Sequence, residues 1–154
     1  AGFNNLPSTI LIPEGQVEAT VQLVTNPVAA LLSTVLRAVF GPCPGITANL
    51  NIEIPILNGL AVPSQIKLLQ SGTGTVTING PAPVGGKVVS LAVLTSLPLG
   101  LNLGVPTSVT IPEGQTSANF QINVLGSLLG ALNINVQASL DGINIVKSIL
   151  LSLL

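Results

Sequence analysis

Val105-Pro106-Thr107-Ser108-Val109-Thr110-Ile111-Pro112-Glu113-Gly114-Gln115-Thr116-Ser117-Ala118-Asn119-Phe120-Gln121-Ile122-Asn123-Val124 is the stretch that decides the fold. Its second half alternates: Ala118, Phe120, Ile122 and Val124 fall on one face of a strand, Ser117, Asn119, Gln121 and Asn123 on the other. Its middle, Pro112-Glu113-Gly114, is a turn, because Pro fixes φ and Gly accepts a positive one. The phrase occurs twice. Leu6-Pro7-Ser8-Thr9-Ile10-Leu11-Ile12-Pro13-Glu14-Gly15-Gln16 stands 99 residues earlier and runs into its own alternation, Val17-Glu18-Ala19-Thr20-Val21-Gln22-Leu23. A period near 100 residues is that of a domain, well above that of a solenoid.

Working outward, residues 65–154 predict about seven strands, at 66–69, 73–78, 87–94, 108–111, 117–124, 132–140 and 143–153. Turn signals separate them: Asn79-Gly80-Pro81, Val84-Gly85-Gly86, and Asp141-Gly142, a strong hairpin signal between two apolar-alternating runs. Short strands at this spacing predict an all-β sandwich, complete over 65–154.

Residues 1–62 match only the back end of that module, and so predict an incomplete one. Strands are expected at 8–12 and 17–25, and residues 49–54 correspond to 131–136 at an offset of 82, leaving 17 extra residues between. Within that insertion Asn26 suits an N-cap, Pro27 the first helical position, and Gly41-Pro42 a stop. Val28, Leu31, Leu32, Val35, Leu36, Val39 and Phe40 recur at helical spacing, predicting a short amphipathic helix over 27–40 that covers an open core.

Composition limits the partners. Hydrophobic residues make up 47% of the 154, charged residues 6%, and the formal net charge is −1, against about 25% charged in soluble domains. With so little repulsion, association is expected. Four scattered cations and three Phe cannot make a nucleic-acid surface, so no nucleic-acid partner is expected. Disorder is disfavoured, since disordered chains combine low hydrophobicity with high charge. Membrane spanning is not expected: the 28–40 run falls short of the ~20 apolar residues of a spanning helix, and a barrel would carry Trp and Tyr girdles, of which there are none.

Catalysis needs titratable groups brought together. There is no His, no Tyr and only five carboxylates, so no enzyme, cofactor, metal or small-molecule substrate is expected. Glu14 and Glu113 hold equivalent turn positions and are read as turn residues. The single Cys43, in Gly41-Pro42-Cys43-Pro44-Gly45, has no internal partner; it is either an inert loop thiol or a bond between subunits.

Residues 72–91, Gly72-Thr73-Gly74-Thr75-Val76-Thr77-Ile78-Asn79-Gly80-Pro81-Ala82-Pro83-Val84-Gly85-Gly86 running into Lys87-Val88-Val89-Ser90-Leu91, followed by the 105–120 phrase, resemble the tandem immunoglobulin-like repeats of bacterial surface and secreted proteins. The resemblance covers 65–154 well and 1–62 in part. It implies an extracellular spacer, stalk or interaction surface, and transfers no catalytic residue. A departure is the Leu-rich character of 97–103, 125–130 and 149–154, where such modules have polar loops.

The function expected is a non-catalytic structural subunit that assembles with itself, by strand complementation, into a secreted or cell-surface fibre or layer. The alternative is a pair of adhesive modules from a larger bacterial surface protein. Donor strands are sought at 1–6 and 143–154, and the assembly candidates are Phe3, Leu6, Leu31, Leu32, Val35, Val39, Cys43, Ile143, Ile145, Ile149, Leu151 and Leu153.

Overall fold

Alternation of apolar and polar residues is carried through into an all-β chain. A computed structural model describes residues 4–153, and none of these is helical. They divide into two units, one ending at Ile54 and one beginning at Pro55.

The first unit holds one antiparallel hairpin, β1 (Leu32–Ala38) and β2 (Ile46–Ile52). Leu32, Thr34 and Leu36 share a face opposite Ile52, Leu50 and Ala48, while Ser33, Val35 and Arg37 take the other. On that second face the Ser33 hydroxyl donates to Asn51 Oδ1 at 2.8 Å. The helix expected over 27–40 is therefore absent. Its apolar residues come in pairs that suit a helix or a strand, and an isolated helix of that length is marginal in water. A register of seven residues with β2 satisfies the backbone instead. Asn26, expected to cap that helix, exchanges side-chain hydrogen bonds with Asn4 at 2.5 and 2.7 Å.

Strands expected at 8–12 and 17–25 are absent too, apart from a single bridge residue at Thr25. The turn between them nevertheless forms: Gln16 N donates to Pro13 O at 3.0 Å, with Gly15 at φ +80°. The strand expected at 49–54 lies slightly earlier, as β2.

The second unit contains β3 (Leu57–Ala61), β4 (Gln65–Lys67), β5 (Ser71–Ile78), β6 (Lys87–Val93), β7 (Leu101–Gly104), β8 (Ser108–Ile111), β9 (Ser117–Gly126), β10 (Leu132–Leu140) and β11 (Ile143–Ser152). One sheet runs β4-β11-β10-β6-β8 and the other β3-β5-β9-β7. All pairs are antiparallel except β4 with β11. Two strands are unforeseen: β3, which lies within the bounds expected for the first module, and β7, which begins in the Leu-rich stretch 97–103.

The inward rows of both sheets form one apolar core. Val76 and Ile78 of β5, Phe120, Ile122 and Val124 of β9, Ile134 and Val136 of β10, and Ile149 and Leu151 of β11 belong to it. Each such side chain contributes roughly 1.5–3 kcal/mol on burial. No charged or polar side chain is buried among the described residues.

Asp141 (φ +49°) and Gly142 (φ +84°) join β10 to β11. Positive φ at both central positions is the twist a two-residue hairpin needs. Asp141 also accepts from Lys87 Nζ at 2.7 Å, tying the start of β6 to the hairpin tip. Asp141→Asn keeps a residue that tolerates the left-handed region and loses only a half-exposed ion pair, so its cost is expected below ~1 kcal/mol. Asp141→Val adds left-handed strain of ~1–2 kcal/mol. A urea-unfolding comparison of the two variants measures that difference.

Candidate assembly surfaces

A strand is available to a neighbour only if its backbone and its apolar row are not already used. In the second unit the outer strands of the two sheets are β4 and β8, and β3 and β7. β11 adds a partial edge, since it pairs with β10 along its length but with β4 only at Leu150, Leu151 and Ser152. Along the remainder, Lys147 stands on the same face as Ile149 and Leu151 yet stays exposed. An inward-facing charge in an open edge discourages another strand from adding there.

The C-terminal candidates are thereby sorted. Ile149 and Leu151 are fully buried in their own core, and Ile143 and Ile145 pack half-buried against it. These four side chains complete the second unit, so β11 is not a spare strand. Leu153 is exposed beyond it.

The first unit is the reverse. Leu6, Leu31, Val35 and Val39 are exposed and Leu32 is half-buried, while Phe3 lies outside the described residues. Cys43 is an exposed free thiol in the hairpin loop, where its N–H donates to Phe40 O at 3.2 Å. Phe40 and Ile46 on either side of that loop are exposed as well.

Placing the two copies of the repeated phrase side by side shows what the first unit lacks. Both turns close alike, Gln115 N donating to Pro112 O at 3.0 Å with Gly114 at φ +74°. The side chains around them do not match: Ile111 is 0% exposed and its counterpart Ile12 is 49%. Ile10 and Leu11 are also exposed, and Val17 is 95% so. These four residues are not among the expected candidates, although the 99-residue offset marks Ile10 and Ile12 as strand residues whose partners lie elsewhere.

Leu99 and Leu129 are fully exposed and flank an open cleft of about 300 Å³ lined also by Pro98, Leu128 and Leu132. Each forfeits most of the burial energy available to a leucine. No family model and no curated protein matches this chain. Among the described residues no three His, Cys, Asp or Glu side chains come together in a way that could hold a metal ion.

Proposed function

We propose that this protein is a structural subunit, built from immunoglobulin-like modules, that assembles with itself into an extracellular or cell-surface fibre or layer. The observation that carries the reading is the exposure of Ile10 and Ile12, whose counterparts in the second unit are Val109, packed against the core, and Ile111, within it. Ile12 against Ile111 is the plainest case. Covering such residues is worth roughly 1.5–3 kcal/mol apiece, and a net charge of −1 opposes association hardly at all. Strand complementation is the mode that suits alternating rows with unused backbone groups. In it the first unit is the receiving side, because β11 is already spent within its own module.

Purified full-length protein is expected to form polymers visible by negative-stain electron microscopy, with a sedimentation profile that shifts with concentration. Ile10→Lys with Ile12→Lys is expected to leave the unfolding of the second unit unchanged, within ~0.5 kcal/mol for exposed positions, while shortening or abolishing the polymers. A wild-type sample that remains a monomer at every concentration overturns the reading.

A further inference from the structure

The pairing of the second unit specifies what the first unit is built to receive. β8 hydrogen-bonds to β6 alone, and β9 lies between β5 and β7. The two strands flanking the Pro-Glu-Gly turn therefore belong to different sheets, and neither is held by the other. β10 and β11, by contrast, pair with each other over nine residues. The first unit has counterparts of three of these four: 8–12 of β8, 17–25 of β9 and, at the offset of 82, β2 of β10, while β1 lies in the insertion. β2 finds its partner in β1. The first two, whose partners in the second unit are β5, β6 and β7, form no ladder.

Side-chain stand-ins mark the vacant neighbours. Asn5 Nδ2 donates to Gln22 O at 2.9 Å and Val24 N donates to Asn5 Oδ1 at 2.8 Å. The counterparts of Gln22 and Val24 are Gln121 and Asn123, which pair with Thr73 and Ser71 of β5. One asparagine side chain thus occupies backbone groups at positions where the second unit places a strand. β2 likewise pairs only with β1, whereas its counterpart β10 lies between β11 and β6, pairing with β6 from Val136 to Ser139.

We infer that residues 8–52 are the C-terminal half of a module, and that their partner is a polypeptide segment constructed like residues 65–104. That partner supplies three alternating strands in the order of β5, β6 and β7. Its β6-like strand lies between residues 8–12 and β2, and its β5-like and β7-like strands flank residues 17–25. The inference rests on the proposed function only in taking the first unit as the receiving side.

The test joins a second copy of residues 55–104 directly ahead of Leu6, reproducing the natural junction of Gly104 with Val105, and follows amide hydrogen exchange. In the unextended chain, residues 8–12 and 17–25, which no ladder holds, are expected to exchange close to the rate of unstructured backbone, Val24 being slowed by its bond to Asn5. In the extended chain their exchange is expected to slow by at least ~100-fold, as for sheet amides. A second extension with the same composition but its alternation shuffled is expected to give no protection. The natural second unit is the internal reference. If its amides are protected in the extended chain while 8–12 and 17–25 still exchange freely, the inference is overturned. Protection in the extended chain together with an absence of polymers from the natural chain would overturn self-assembly and leave this inference standing.

Discussion

Phe120→Ala is expected to destabilise the second unit by about 3–5 kcal/mol, the usual cost of emptying a buried aromatic site, and Gly74→Ala to rescue part of that loss. Phe120 is the largest side chain of the core and stands in β9 directly opposite Gly74 of β5. Its ring lies over the glycine: a Cβ built at Gly74 would sit 2.6 and 2.7 Å from Phe120 Cε2 and Cε1. Alone, Gly74→Ala gains up to ~1 kcal/mol from a stiffer unfolded chain and loses about 1–3 kcal/mol to overpacking, so it destabilises. With the ring gone the clash disappears, the methyl fills part of the hole and the entropic gain remains. The double variant should therefore be more stable than Phe120→Ala, with a coupling of at least ~1 kcal/mol in a urea-unfolding cycle. Strict additivity would mean that the ring does not cover Gly74.

That pair also shows what was legible in the sequence. Alternation in 117–124, 132–140 and 73–78 predicts strands, inward faces and the all-β class, because a period of two has no other structural meaning when one face must be buried. Asp141-Gly142 predicts its hairpin for an equally local reason. Leu101 and Leu103 of β7 were hidden in a run where Pro98, Gly100 and Asn102, all turn formers, separate the leucines and read as a loop, and an edge strand of four residues needs no longer pattern. β3 was hidden because its Leu57 and Leu60 are three apart, out of step with a strand; a register shift between Leu57 and Gly59 reconciles them with β5.

Errors in the first unit have one cause. Residues 8–25 carry the pattern of a strand pair, but a pattern states which face would be buried and not that a partner is present. In the second unit that pattern is satisfied by β5, β6 and β7; in the first, Ile12 and Val17 keep the sequence of strand residues and the exposure of a loop. Residues 27–40 fail in the complementary way. Paired apolar residues at 31–32, 35–36 and 39–40 satisfy a helical period, yet pairing with 46–52 supplies seven registered partners that a lone helix would have to do without. The assembly candidates follow suit: those in the first unit are exposed or half-buried wherever they are described, whereas Ile149 and Leu151 are consumed by folding.

Ile149→Pro decides whether β11 is a core strand or a strand to lend. Ile149 is fully buried, lies opposite Ile134 of β10, and precedes Leu150, whose N–H donates to Ser64 O at 3.0 Å on the other side. Proline there removes a ladder donor and fixes φ near the polyproline value, away from the strand. It leaves a β10 neighbour short of a partner, worth about 1–3 kcal/mol when buried. Replacing the isoleucine by a smaller ring adds a cavity cost, bringing the total to roughly 3–6 kcal/mol. Against the ~5–15 kcal/mol that holds a domain of this size together, that leaves the second unit unfolded or close to it at low concentration, where no polymer exists. Leu11→Pro, placed in a segment without a ladder, is expected to change the stability of the second unit by less than ~0.5 kcal/mol. Circular dichroism and thermal melting of dilute monomer distinguish the cases: a donated strand would leave the Ile149→Pro monomer folded and only its polymers missing, whereas an internal strand loses the monomer itself.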